Sequence, residues 1–286
     1  MSEYAGEAAL EGRFEFGENW SRFLEGLNEE QIAEAEQDLK QAITVDTLSG
    51  KSFLDANSGS GLFSLAARRR GTRVDSFDYD PQSVACTAEL KRRFFPNDAS
   101  WTVQKGSVLD TEYLRSLGQF DFVYSWGVLH HTGVMWQALE NIQLPVAPGS
   151  LLSISIYNDQ GNRSVEWRRL KKLYNDLPQL LKFTFAFCVI ALSETAAAVY
   201  LSLTFRPHLY IRSWTQYHRN RGMSRWHDLI DWIGGYPFEV AKPEEIFDFY
   251  RDQGFVLAKL STNSGYGCNE FVFEKTANGW PRTSRV

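Results

Sequence analysis

From Lys51 onward the chain alternates short apolar runs with longer stretches of helical period. Ser52 to Ala56, Arg73 to Phe77, Trp101 to Gln104, Phe120 to Trp126 and Leu151 to Tyr157 read as strands. The segments between them are long enough for crossover helices, which predicts a parallel sheet covered on both faces, with ligands beyond the C-terminal strand ends. Upstream, Phe14, Phe16, Trp20 and Phe23 lead to a helix from about Glu29 to Ile43; Asn28 and Gln31 form its capping pair, and Ile32, Ala35, Leu39 and Ile43 share one face. The alternation stops after Tyr157. Later, Pro243-Glu244-Glu245 opens a helix that Gly254 closes, and strands at Phe255 to Leu260 and Glu270 to Lys275 flank the turn Ser264-Gly265-Tyr266-Gly267, which predicts an antiparallel pair. The expected organisation is an N-terminal helical cap over 1–48, an α/β core over 49–157 and 242–276, a helical insertion over 158–241 and a loose tail.

Composition narrows the function classes. Of the 286 residues 43% are hydrophobic and 23% charged, enough for a substantial core, which excludes global disorder. Thirty basic against thirty-five acidic residues give a net charge of -5, the wrong sign for a protein that neutralises many phosphates, so nucleic acid is disfavoured as a partner. Arg68-Arg69-Arg70 and Lys91-Arg92-Arg93 fall at the ends of two predicted helices and read as solvated termini that complement the dipole. Cys86, Cys188 and Cys268 suit neither a disulfide framework nor a zinc cluster, and the acidic start is unlike an export signal; both point to the cytoplasm, and no metal site is expected.

The candidate chemistry starts in Asp55-Ala56-Asn57-Ser58-Gly59-Ser60-Gly61-Leu62, a strand entering a tight turn and then a helix. Gly59 and Gly61 remove side chains that would bar a ligand from the backbone, and the helix start presents amide groups. Leu62 spoils a dinucleotide fingerprint, which disfavours a nicotinamide dehydrogenase. Counted at alternate positions, Asn57, Gly59 and Gly61 after Asp55 resemble the first motif of class I S-adenosylmethionine-dependent methyltransferases, with Asn57, a residue that tolerates a left-handed backbone, where that family has glycine. About twenty residues on, Phe77-Asp78-Tyr79-Asp80-Pro81 ends the second strand. The resemblance gives Asp78 the ribose hydroxyls; the alternative is that Asp78 and Asp80 only cap the next helix. Lys105-Gly106-Ser107-Val108-Leu109-Asp110 is similar to the segment that edges the adenine, or else is a turn capped by Asp110.

The resemblance implies a Rossmann-like, doubly wound, mostly parallel seven-stranded sheet with an antiparallel last strand. S-adenosyl-L-methionine is then the cofactor and S-adenosyl-L-homocysteine the product. Asp55, Asn57, Ser58, Gly59, Gly61, Asp78 and Tyr79 would hold it, with Ser107 and Val108, with Trp126 and Gly127 after the fourth strand, and with Phe16 and Trp20 closing from the other side. Trp126-Gly127-Val128-Leu129-His130-His131 is also similar to small-molecule methyltransferases that carry Leu-His-His here, quinone-biosynthesis methylases among them. His131, then His130, is the candidate base for an acceptor that must lose a proton; the alternative is that one caps the strand end and the other packs under a helix.

In the insertion, the apolar stretch from Leu180 to Phe205 approaches the length of a membrane span, but Lys182 and Glu194 interrupt it. A carboxylate near a bilayer centre costs on the order of 3 kcal/mol, so two shorter buried helices, divided at Ser193-Glu194, are expected. They suit a lid or a homodimer interface, with peripheral membrane contact left open and no transmembrane span. The Trp-, His- and Gly-rich stretch 221–238 offers His227, Asp231 and Tyr236 to the acceptor, or else is an amphipathic helix with a Gly-Gly turn; Asn269 and Glu270 could reach the acceptor from the final hairpin. The expected activity is transfer of a methyl group to an O, N or C atom of a small, partly hydrophobic metabolite. A nucleic-acid or protein methyltransferase, and an inactive cofactor-binding regulator, are the rivals.

Overall fold

A computed structural model describes residues 20, 24, 26–42, 48–215, 229, 232–265 and 267–277. Helix α1 (Glu29–Ala42) precedes β1 (Ser52–Ala56), α2 (Leu62–Arg69), β2 (Arg73–Asp78), α3 (Pro81–Phe94), β3 (Trp101–Lys105), α4 (Thr111–Ser116) and β4 (Phe120–Trp126). A 3-10 turn (Leu129–His131), α5 (Met135–Asn141) and β5 (Val146–Tyr157) follow. After α6 (Asn162–Asp176), α7 (Gln179–Leu203) and α8 (Pro207–Thr215), the chain returns through α9 (Pro243–Asp252), β6 (Phe255–Ser261) and β7 (Cys268–Lys275).

The seven strands form one sheet in the order β3-β2-β1-β4-β5-β7-β6. β1 to β5 pair in parallel, while β7 runs antiparallel to β5 and β6. A doubly wound sheet needs apolar residues on both sides, and the strands supply them in alternation. Leu54, Phe77 and Val123 face a core closed by Leu114 of α4, Leu139 of α5 and Tyr250 of α9. Phe53, Val74 and Tyr124 face the other, closed by Leu39 of α1, Leu65 of α2 and Leu90 of α3.

Local chemistry sets the element ends. Asn28 and Gln31 exchange side-chain and amide hydrogen bonds at the start of α1. Asp80 accepts the Gln82 amide, with Pro81 as the first residue of α3. Gly254, at φ +85°, turns the chain out of α9. β5 starts five residues before the apolar run, because Val146 pairs with Phe120 before the ladder shifts register across Pro148-Gly149. Ile43, at the expected end of α1, lies outside the described residues.

Two expectations are corrected. Arg68 and Arg69 are not solvated, their side chains being only 19% and 25% exposed. Arg68 pairs with Asp98 and stacks on Phe95, while Arg69 pairs with Glu29 and stacks on Phe94, so these cations tie α2 to its neighbours. The apolar stretch of the insertion is not two buried helices but one continuous helix, α7, with most of its length exposed. Residues 179–203 contain neither Gly nor Pro, and Ser193 and Thr195 return their hydroxyls to the Ile190 and Ala191 carbonyls, so nothing breaks the helix. Glu194 accepts a hydrogen bond from the Trp214 indole of α8.

Candidate functional site

The turn after β1 lies at the C-terminal edge of the sheet. Asn57, Gly59 and Gly61 all have left-handed backbones, at φ +64°, +55° and +79°. The Asn57 and Ser58 amides both donate to the Phe77 carbonyl, binding the turn to the end of β2. Gly61 is forced by close approach, since a Cβ there would stand 2.8 Å from Thr87 Cα on α3. At Gly59 a Cβ would stand 3.3 Å from the Trp20 indole, so Trp20 lies over the turn. Ser58 shares a 2.9 Å hydrogen bond with Thr87.

Asp78 faces this turn from the end of β2. One carboxylate oxygen accepts the Gly59 amide and the other the Asp80 amide, each at 2.9 Å. The carboxylate is thus aimed by two backbone donors. Helix capping falls to Asp80, which also accepts the Ser83 hydroxyl. Asp55 lies beneath the turn, turned inward to accept the Ser64 hydroxyl at 2.5 Å. Burial, with a contribution from Asp78, pushes its carboxyl up to about 7, while the Ser64 bond pulls the other way.

Tyr79 follows Asp78 with the Lys105 ammonium over its ring. Gly106 leaves room for the Tyr113 ring, which a Cβ would strike at 2.1 Å. Ser107 is buried and accepts the Leu109 amide, Val108 is a core residue, and Asp110 caps α4 through the Glu112 and Tyr113 amides. Trp126 donates to Glu270 at 3.0 Å across β5, where the in-register Ser155 is small enough to let the indole pass. Gly127, at φ +76°, donates its amide to Ser155 at 2.7 Å.

The two histidines sit in an aromatic cluster at the end of β5. His130 is 4.1 Å from Tyr157 and 4.5 Å from His131, ring centre to ring centre, and Phe238 and Trp232 also pack against Tyr157. His131 Nδ1 meets the Pro237 carbonyl at 2.5 Å; because a carbonyl only accepts, Nδ1 carries the proton and Nε2 is the basic nitrogen of the neutral ring. Burial, then the neighbouring His131, holds His130 far below the usual imidazole range, so it stays neutral. Two buried groups on this edge lack a partner among the described residues, Asn57 Oδ1 and Ser125 Oγ. Unpaired polar atoms at the ends of β1 and β4 suit a polar ligand there.

The remaining acceptor candidates divide. Tyr236 is half-buried beside Pro237, whereas Asn269 is buried and spends its amide on Asn158 and the Asn263 backbone, bracing the hairpin. Phe16, His227 and Asp231 lie outside the described residues. Sequence reasoning missed the Tyr157, Trp232 and Phe238 cage, although Tyr157 at a strand end was a signal. It also missed Glu239, which accepts the Met135 amide beside the histidines. A cavity of about 270 Å³, bounded by Phe63, Tyr124, Trp126, Ser153 and Glu270, opens beside the indole on the α1 face of the sheet.

A protein-family profile described as "Methyltransferase domain" matches residues 27–186. Among curated protein sequences none matches. Among solved structures, the chain is similar to magnesium protoporphyrin IX methyltransferase from Synechocystis, solved with bound SAH, at 14% identity and a TM-score of 0.54, covering 91% of this chain and 94% of that one. It is also similar to an O-methyltransferase family protein from Burkholderia thailandensis, at 12% identity and a TM-score of 0.51, covering 86% of this chain and 57% of that one.

Proposed function

The chain belongs to the methyltransferase-domain family, and from that premise we propose that it moves a methyl group from S-adenosylmethionine to an O, N or C atom of a small, partly hydrophobic metabolite. The observation that carries this reading is the left-handed turn Asn57-Gly59-Gly61, held by Asp78, whose carboxylate is aimed by two amides. When bound, the cofactor supplies a methyl group already activated by a sulfonium, which leaves the chain the work of positioning and of excluding water.

In this reading Asp78 takes the ribose hydroxyls, the turn over 57–61 receives the amino-acid end with Trp20 lying over Gly59, and Ser107 and Val108 edge the adenine. Asp55 acts from below, through Ser64, by keeping the turn in place. Trp126 and Gly127, after the fourth strand, would border the cofactor beside the acceptor. His131 Nε2 removes a proton from acceptors that must lose one, and the Pro237 carbonyl fixes the tautomer for that task. The Tyr157, Trp232 and Phe238 rings, with Tyr236 beside them, give the acceptor an apolar wall, which supports a partly hydrophobic metabolite. The exposed thiol of Cys188 supports a cytoplasmic setting.

Calorimetric titration with S-adenosylhomocysteine tests the reading. The parent binds, and Asp78→Ala binds about tenfold to a hundredfold more weakly, as expected when charge-assisted hydrogen bonds worth about 1.5–3 kcal/mol are lost. A parent that ignores the nucleoside, or a variant that binds it equally well, overturns the assignment.

A further inference from the structure

Helix α7 is apolar around its whole circumference, with Lys182 and Glu194 its only charged residues. A helix of this kind belongs either in a protein core or against lipid. Only 11% of its most apolar window is buried, which excludes the core. Leu180, Phe183, Phe187, Leu192 and Tyr200 stand exposed along it. At the turn into α8, Leu203 is 75% and Phe205 92% exposed, immediately before Arg206. Glu194, the one acidic group, is hydrogen-bonded by Trp214 at 3.0 Å, which lowers the cost of placing it against an apolar phase.

Charge indicates the phase. Residues 162–215, which span α6 to α8, carry eight Lys and Arg, the buried Lys171 among them, against three Asp and Glu, a net of +5 in a chain whose total is -5. On α6, Val165, Arg169, Lys172 and Leu173 fall on one exposed face, a mixture in which long basic stems lie along an apolar surface with their charges at headgroup level. A second copy of the same patch would meet it with the same sign, which opposes self-pairing.

The topology excludes a single crossing. Asn158 and Ala241 bridge each other, and β5 before the excursion pairs with β7 after it. The chain therefore returns to the side it left, and α8 with the turn before it contains Arg206 and Arg212. We propose that the α6–α8 excursion docks on an anionic lipid bilayer without crossing it, with α7 and the Leu203–Phe205 tip in the acyl boundary and the basic residues at the phosphates. This docking does not depend on the methyl-transfer reading.

Co-sedimentation of the full chain with phosphatidylcholine vesicles, and with vesicles in which phosphatidylserine replaces part of that lipid, tests the proposal. Binding should be about tenfold or more tighter to the anionic vesicles and should weaken with salt. The double variant Leu203→Gln, Phe205→Asn should lose about tenfold in binding to anionic vesicles; asparagine accepts the left-handed backbone at 205, where φ is +56°. Arg169→Gln with Lys172→Gln should instead erase the preference for phosphatidylserine. Circular dichroism melting, matched to the parent, shows that both variants fold. Failure to pellet with either lipid, or pelleting untouched by the tip variant, overturns the proposal. So does a dimer at sedimentation equilibrium that the tip variant dissolves while vesicles are ignored, since the occupant is then a second copy. Failure of nucleoside binding leaves these outcomes unchanged, so the two readings fall separately.

Discussion

Replacing Gly61 by alanine should destabilise the fold more than the same change at Gly59, and the difference measures how closely α3 presses on the turn. Both glycines are left-handed, at φ +79° and +55°, so each alanine incurs about 1 kcal/mol of backbone strain. At Gly59 the atoms nearest the new methyl belong to the Trp20 indole, at 3.3 Å, a side chain able to shift. At Gly61 it meets Thr87 Oγ1 at 2.7 Å and Thr87 Cα at 2.8 Å, and the second of these atoms is α3 backbone. Overpacking of that kind adds about 1–3 kcal/mol, giving about 3 kcal/mol for Gly61→Ala against about 1 for Gly59→Ala. With a urea slope of roughly 3 kcal/mol per molar, the unfolding midpoint should fall by roughly 1 M in the first variant and by roughly a third of that in the second. Thr87→Ala in the Gly61→Ala background relieves the clash with the hydroxyl but not the one with the helix backbone, so it restores only part of the loss. Equal midpoints, or a larger loss at Gly59, would refute the account of the turn.

Two further outcomes follow from the same edge of the sheet. Burial raises the Asp55 carboxyl to about 7 from 3.8, so the folded chain keeps a proton that the unfolded chain releases; this contribution is complete below about pH 4 and is lost as pH rises toward 7. Asp55→Asn should flatten that fall, on the order of 4 kcal/mol, in urea unfolding measured at both ends of the window, and an unchanged slope would show that Asp55 ionises normally. His131→Ala should leave S-adenosylhomocysteine affinity within about twofold while slowing single-turnover transfer from labelled donor by about a hundredfold or more; transfer at the parental rate would remove it as a base.

The strands were legible because a doubly wound sheet demands apolar runs bounded by turn residues, and Ser52–Ala56 and Phe120–Trp126 coincide with the runs read from sequence. The left-handed backbone at Asn57 was legible too, through the tolerance of asparagine for that region. What failed depended on partners distant in sequence. The stacking of Arg68 and Arg69 on Phe95 and Phe94 arises because α2 and α3 lie side by side, which no local pattern encodes. The inward turn of Asp55 depends on Ser64 in the first turn of α2, and the bracing role of Asn269 on Asn158, 111 residues away. The continuity of α7 was misjudged because charge was given the weight of a helix breaker, whereas an indole from α8 accommodates Glu194 without a break.

The bridge between Asn158 and Ala241 has an engineering consequence. The Ala241 amide bonds to the Tyr157 carbonyl and the Asp159 amide to the Ala241 carbonyl, so more than eighty residues depart and re-enter through one doorway. The entropy of closing such a detour grows only slowly with its length. Swapping its contents for a short linker that keeps this doorway should leave every pairing in the sheet intact, so the excursion can be exchanged as one part.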